Sequence, residues 1–322
     1  MAARKDKVNQ FPCGKGYDLG RDGVSQSILS TFLSCRQAAR YYLDLWESPS
    51  VSFALMFGTL FHSLLEHYYK ALATGQGVKA FVGFDAVFSH WVAKDAGSID
   101  AQKLEQFEAM AFALFGPYCK HWEKEDLKRQ WVGVETVFDT NWEGYRLRGM
   151  RDGMFLVNKG KEHWILEHKT TTTLDSDSLS LRLNFDLQNL FYILNTEQEY
   201  GVKVAGVLYD LIRKPALRQG KKESFNEFAS RMVTAVNDAP GEYFARFPLV
   251  YPETVKQRFR AELALQLADF RDWSRGLLPT YKNPSACIGR GVCEFLPVCA
   301  AGGNAVAAGC IKSRVLFREL IR

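Results

Sequence analysis

The stretch Gly149-Met-Arg-Asp152-Gly-Met-Phe-Leu-Val157-Asn-Lys-Gly160-Lys-Glu-His-Trp-Ile-Leu-Glu167-His-Lys169 holds two apolar segments of period two about a tight Asn-Lys-Gly turn. Such a pattern predicts a β-hairpin. A turn centred on Lys159 and Gly160 pairs residues whose numbers sum to about 319. Asp152 and Glu167 are one such pair, so their carboxylates face each other across the hairpin. Lys169, two residues beyond Glu167, points to the same side. Opposed carboxylates repel unless positive charge sits between them. A hard divalent cation with oxygen ligands, Mg²⁺ or Mn²⁺, removes that conflict. A solvated strand face, with Lys169 offsetting Glu167 diagonally, is the plainer alternative. The apolar Phe155, Val157, Trp164, Ile165 and Leu166 weigh against it, because a central strand seldom carries three charges on one face without use for them.

On either side of the hairpin the period changes. Trp131–Thr140 reads as a strand preceding Arg146–Val157 and His163–Thr171, with Asn141-Trp-Glu-Gly144 as the first turn. Before Trp131 the pattern is helical. A helix capped by Ser25 or Ser27 comes first, then helices near Phe57–Ala73, Phe81–Lys94 and Ala101–Glu123, the last open to a kink or early end at Gly116-Pro117. After the hairpin come a helix over Leu181–Tyr200, a strand over Val204–Ile212, and helices near Ser224–Asn237 and Glu253–Gly276. The order argues for an α+β fold. Four regions follow: a loose lead-in over 1–24, a helical region over 25–130, a core over 131–282 and a cysteine-bearing tail over 283–322, together one continuous structural unit.

The chain has 322 residues, 47% of them apolar and 24% charged, which excludes collagen-like and intrinsically disordered classes. Forty-one basic against 36 acidic residues leave a formal charge of +5, which permits a polyanionic partner without requiring one. No apolar run is long enough to span a bilayer, and Met1-Ala-Ala-Arg-Lys-Asp-Lys is not a secretory signal, so a reducing cytoplasm is the expected compartment. Of seven cysteines, Cys287, Cys293 and Cys299 recur with five residues between neighbours, and Cys310 trails. In a reducing compartment this run reads first as a metal or cluster site.

Asp152 with Glu167-x-Lys169 resembles the signature of the PD-(D/E)XK nucleases, and of their RecB-like, phage-exonuclease branch in particular. Three further motifs, in that branch's order, extend the resemblance from Ser25 to Cys299. Gly58-Thr-Leu-Phe-His62-Ser-Leu-Leu-Glu66 resembles its G-x3-H-x3-E helix, which implies His62 as a metal ligand beside Asp152 and Glu167, with the role of Glu66 left open. Gln188-Asn-Leu-Phe-Tyr192 resembles its Q-x3-Y helix, which touches the substrate backbone. Cys35, in Thr31-Phe-Leu-Ser-Cys35-Arg36, with Cys287, Cys293 and Cys299, resembles the cysteine set that holds a [4Fe–4S] cluster. Cys310 is a substitute for Cys287, and zinc the less favoured occupant.

The resemblance implies a restriction-endonuclease-like mixed central sheet flanked by helices, with a helical N-terminal region and a Cys-bound C-terminal tail. It implies a Mg²⁺- or Mn²⁺-dependent DNA exonuclease in which Asp152 and Glu167 hold the ion and Lys169 serves the attacking water. Thr170 and Arg213 are then phosphate contacts, with Lys214 beside them. Arg146, Arg148 and Arg151 could line a narrow cleft, and Trp142 and Tyr145 could stack bases. The implied substrate is DNA, single-stranded or at duplex ends, in phage or bacterial recombination, repair or replication, with a helicase or recombinase as partner. A catalytically silent nucleic-acid-binding subunit and an RNA nuclease on the same site are the alternatives.

Overall fold

A computed structural model of the chain describes residues 16–48, 52–75, 83–95, 97, 99–174, 181–288, 292–317 and 320. Most of the lead-in, Cys13 and the expected helix start at Phe81 lie outside them. The described strands are β1 (Val24–Ser25), β2 (Trp46–Glu47), β3 (Gln130–Trp142), β4 (Tyr145–Val157), β5 (Glu162–Thr171), β6 (Val204–Arg213), β7 (Phe244–Leu249) and β8 (Ile311–Lys312). Helices and strands mix as an α+β fold with a central mixed sheet flanked by helices, consistent with a restriction-endonuclease-like architecture. The chain divides into two compact units, one of residues 52–136 and 151–251, the other of 1–51, 137–150 and 252–322.

In the first unit the later part of β4 pairs antiparallel with β5, β5 runs parallel to β6, and β6 pairs antiparallel with β7. The register Gly153↔Leu166 through Val157↔Glu162 is the one the turn predicts. Asn158, Lys159 and Gly160 all take positive φ, as so tight a reversal demands. Alternation along the strands gives the sheet two apolar faces. Leu166, Leu208 and Ile212 join a core with Phe61, Leu64 and Tyr118, from the helices Phe53–Ala73 and Ala101–Asp126. Tyr209 and Leu211, of opposite parity, pack instead with Leu183.

The helix Ala101–Asp126 runs through Gly116-Pro117 without ending there. Pro117 and its neighbours Leu114, Phe115 and Tyr118 are buried, and packing of that face outweighs the roughly 3 kcal/mol a mid-helix proline costs. The helix bearing Gln188 starts at Leu187, not Leu181, because Asp186 caps it by accepting from Asn189 N. Strand β7, unforeseen in the sequence, brings Arg246 into the sheet's interior. Arg246 is 2.7 Å from Asp126 Oδ1 and 3.4 Å from Asp210 Oδ1, and it also donates to the hydroxyls of Tyr69 and Tyr118. Burial pushes the Asp210 carboxyl up, but Arg246 and the hydrogen bond from His168 outweigh it and hold Asp210 below the usual carboxylate range.

In the second unit Ser25 caps the helix Gln26–Ser34 by accepting from Ile28 N, one of the two caps expected. Strand β1 lies parallel to the start of β4, Val24 opposite Leu147, and β2 pairs antiparallel with β8. Phe32, Phe270 and Trp273 form its aromatic centre, with ring centroids 5.0–5.6 Å apart. Gly149 is required where it stands. A Cβ there would lie 2.3 Å from the ring of Phe138.

Candidate active site and metal centre

Every residue of the candidate site belongs to the unit formed by 52–136 and 151–251. Asp152 and Glu167 each lie one residue beyond the last pair of the hairpin, Gly153 and Leu166, and are both buried, at 6% and 1% exposure. The main-chain N–H of His168 donates to Asp152 Oδ2 at 2.8 Å. The other oxygen, Oδ1, lies 3.4 Å from His62 Nδ1, on the helix Phe53–Ala73. Glu135, from β3, brings Oε1 to 4.0 Å from the same nitrogen. His62, Glu135 and Asp152 each offer one ligand atom, all within 4.8 Å of one another, and they are the one such group among the described residues. Glu66, a turn beyond His62, pairs instead with Lys70.

Glu167 lies outside that three-atom group and is held differently. Its Oε1 accepts from Lys169 Nζ at 2.5 Å and from Gln188 Nε2 at 2.7 Å. Its Oε2 is buried with no hydrogen-bond partner among the described residues. Burial raises the Glu167 pKa to about 7; Lys169 pulls it down and Asp152 pushes it further up. Burial opposes the charge on Lys169 too, yet the carboxylates of Glu167 and Asp152 more than compensate and keep the ammonium protonated. One cation among three buried carboxylates leaves an excess of negative charge. An imidazole nitrogen, carboxylate oxygens and an orphaned carboxylate oxygen suit a hard divalent ion such as Mg²⁺ or Mn²⁺, so the residues fit that group.

Gln188 joins these parts. Its Oε1 accepts from Lys169 Nζ at 3.0 Å, while Nε2 reaches Glu167 and, at 3.2 Å, the hydroxyl of Tyr192. Tyr192 is buried, and that burial, with Glu167 close by, drives its hydroxyl pKa well up. Thr170 is half-buried on β5 beyond Lys169. Arg213 sits at the end of β6, in register with Thr171, where its guanidinium pairs with Glu242 at 3.2 Å and covers the Tyr243 ring. Lys214 N donates to Thr171 O, so the basic segment 213–222 leaves the sheet next to the end of β5. Gln102, Gln106, Arg218, Gln219 and Lys221 then line a polar cavity of about 610 Å³.

A protein-family model, the PD-(D/E)XK nuclease superfamily, matches residues 23–300. The chain belongs to this superfamily. The PD-(D/E)XK family implies a metal-dependent nuclease acting on nucleic acid, and the acidic site of the chain has the donor set for the metal. A comparison with curated proteins finds no match. No described helix is long and apolar enough to cross a membrane.

Of the six described cysteines of this PD-(D/E)XK chain, Cys119 is buried in the core of the unit that carries the candidate site, and the other five belong to the other unit. Cys35 Sγ accepts from Asn283 N at 3.4 Å, and Cys287 Sγ donates to Asn283 O at 3.7 Å. The Cys293 thiol is pushed up first by burial and then by neighbouring Cys35, Cys287 and Cys299. Cys293 is thus close enough to Cys35, Cys287 and Cys299 to feel the charge of each. Cys310 is raised by burial and by Glu294, and it packs in the same apolar cluster as Tyr41, Phe295 and Val298. All six described cysteines are free thiols. Four free thiols suit a thiolate-bound cluster or zinc.

One arginine and one aromatic do not stand where the sequence suggests. Arg151 is fully buried, not lining a cleft; it donates to Thr196 Oγ1 at 2.9 Å and to Glu199 Oε2 at 2.5 Å. Arg146 and Arg148 both turn to Asp139. Trp142 is buried, which removes its ring from base stacking. Conversely, Glu135 escapes a reading based on motifs. A lone acid flanked by Val134 and Thr136 was its one signal, and its left-handed backbone, φ 48°, does not announce itself in sequence.

Proposed function

We propose that the chain is a RecB-like DNA exonuclease that hydrolyses phosphodiester bonds from a DNA end, in phage or bacterial recombination, repair or replication. The observation that carries this reading is the hydrogen-bonded set Glu167–Lys169–Gln188 beside Asp152 and His62. It is the arrangement expected of ExK and Q-x3-Y motifs that work together.

In this reading His62, Glu135, Asp152 and Glu167 hold one divalent ion or more. Bound there, the metal supplies Lewis acidity toward a phosphate oxygen and lowers the pKa of a water. The protein's own groups do the rest. Lys169, held by Glu167 and Gln188, supplies a positive charge that orients the water and stabilises developing phosphorane charge. Gln188 restrains the Lys169 ammonium and the Glu167 carboxylate together, which fixes the geometry before substrate arrives. The His168 N–H sets the rotation of the Asp152 carboxylate. Thr170 and Arg213 contact phosphates of the bound strand, Arg213 by exchanging Glu242 for a backbone phosphate.

Cys35, Cys287, Cys293 and Cys299 hold a [4Fe–4S] cluster in the same reading. Its role is structural: it closes a loop of about 250 residues between Cys35 and the tail. A helicase or recombinase that delivers DNA ends is the expected partner. The test is digestion of end-labelled single- and double-stranded DNA with Mg²⁺ or Mn²⁺, an EDTA control, a closed circular strand and a matched RNA. Metal-dependent shortening from one end, with the circle spared, is the expected result. Cutting of the circle, or of RNA alone, would remove the exonuclease assignment.

A further inference from the structure

The segment before the Gln188 helix holds a feature that none of the motifs uses. Phe185 is 78% exposed, the highest value for any large apolar side chain among the described residues; the next most exposed aromatics, Phe112 and Tyr281, reach 54%. Scattered surface apolar residues need no explanation. Phe185 differs because the chain that presents it is held firmly, and held beside the catalytic strand.

Phe185 N donates to Arg182 O at 3.3 Å and Asp186 N to Leu183 O at 3.2 Å, which closes the turn. Leu183 is buried against Tyr209 and Leu211. Those two residues are the register partners of Glu167 and Lys169 on the adjoining strand, so they share the catalytic face of the sheet. The Tyr251 hydroxyl donates to Leu183 O at 2.7 Å and accepts from Asn189 Nδ2 at 3.0 Å, tying the turn to the helix behind it. Asp186 then caps that helix, whose first turn carries Gln188. Buried anchors on both sides leave the Phe185 ring little freedom to fold down. Arg182 is exposed in the same turn, three residues before Phe185, and its charge acts on the Tyr209 hydroxyl, so the turn carries a cation as well as an exposed ring.

We propose that Phe185 is a stacking platform for a nucleobase of the single-stranded DNA bound at the Glu167–Lys169 site, with Arg182 against an adjoining phosphate. Single-strand binders combine a flat apolar face for the base with cations along the backbone, and Phe185 with Arg182 offers both within one turn. The platform fixes the strand's position relative to Lys169 and so selects which phosphodiester is presented. It rests on the nuclease reading above, extended to its substrate.

The test uses the full chain and short single-stranded DNAs that carry 2-aminopurine at successive positions from either end. Metal-dependent cleavage of these oligonucleotides by the native protein is measured first. Binding is then titrated with Ca²⁺ replacing Mg²⁺, so that the strand stays intact. Native protein should quench 2-aminopurine at one position through stacking. Phe185→Ala should lose that quench and bind about tenfold more weakly. Phe185→Trp should restore both, and the three proteins should melt alike because the side chain is at the surface. Quenching by Phe185→Ala equal to the native protein overturns the proposal, as does a loss that Phe185→Trp fails to recover. If native protein neither cuts nor binds these strands, the nuclease reading falls first and takes this inference with it.

Discussion

The side-chain amide of Gln188 donates to Glu167 Oε1 at 2.7 Å. The same amide accepts from Lys169, so one neutral side chain spans an ion pair whose carboxylate is withdrawn from water. Hydrogen bonds to charged groups contribute about 1.5–3 kcal/mol. Gln188→Ala should therefore lower kcat by about ten- to a hundredfold while KM moves much less, since the loss concerns the geometry of reacting groups. Steady-state kinetics on a labelled single strand measures it. A rise in KM alone would recast Gln188 as a substrate contact.

Glu135 and Glu66 make a matched pair of acids near His62 with opposite surroundings. Glu135 stands in the ligand cluster, whereas Glu66 is engaged by Lys70. Glu135→Gln should weaken Mn²⁺ binding in calorimetry by about ten- to a hundredfold, a loss of the size seen when groups supporting a metal are changed. Glu66→Gln should leave it alone. Equal effects from the two would show that general negative charge, not coordination, attracts the ion.

Arg151 is buried with its guanidinium on Glu199, whose side chain is 32% exposed. Arg151→Ala should cost roughly 2–4 kcal/mol in urea unfolding, somewhat below the 3–5 expected for a fully buried pair because Glu199 still reaches water. DNA affinity of the folded variant should not change.

Arg218 and Lys221 line the polar cavity after β6 and are exposed. Replacing both with Gln should leave stability within about 0.5 kcal/mol. The slope of log affinity for single-stranded DNA against log salt should flatten by about 1.4 if each meets one phosphate. An unchanged slope would place the strand elsewhere.

Cys293 is surrounded by three other thiols, while Cys310 answers to burial and Glu294. Cys293→Ser should therefore remove the brown colour and iron of anaerobically purified protein and lower its Tm. Cys310→Ser should keep both. A colourless native protein containing zinc would replace the cluster with a zinc site.

The hairpin was legible because a turn of three positive-φ residues fixes register, and register fixes which side chains oppose each other. The ExK glutamate and lysine are two residues apart in one strand, so their adjacency needs no tertiary knowledge. The gathering of Cys35 with the late cysteines and of Gln188 with Lys169 came through motif resemblance, since hundreds or tens of residues intervene. Glu135 lay beyond either route, because it reaches the site through a local backbone distortion in a neighbouring strand. Arg151 misled for a general reason. Charge in a strand suggests an exposed face, and only the packed structure discloses Thr196 and Glu199 waiting to receive it. Strand β7, six residues ending in Pro-Leu, offered too short a pattern to register.

Arg246 stands between Asp126 and Asp210 in the unit that carries the candidate site, and it arrives on β7, well after Gln188–Tyr192, the last motif of that site. A fragment trimmed just beyond β6 would keep the Asp152, Glu167 and Lys169 site and still take from two buried acids the arginine they share, leaving Asp126 to Arg129 and Asp210 to His168. Removing one partner of a buried ion pair costs up to about 3–5 kcal/mol, a large share of the stability of an ordinary domain, and the remaining partners offset only part of it. Where this enzyme can be shortened is thus dictated by an arginine with no role in bond breaking, and a minimal version has to extend at least through Leu249.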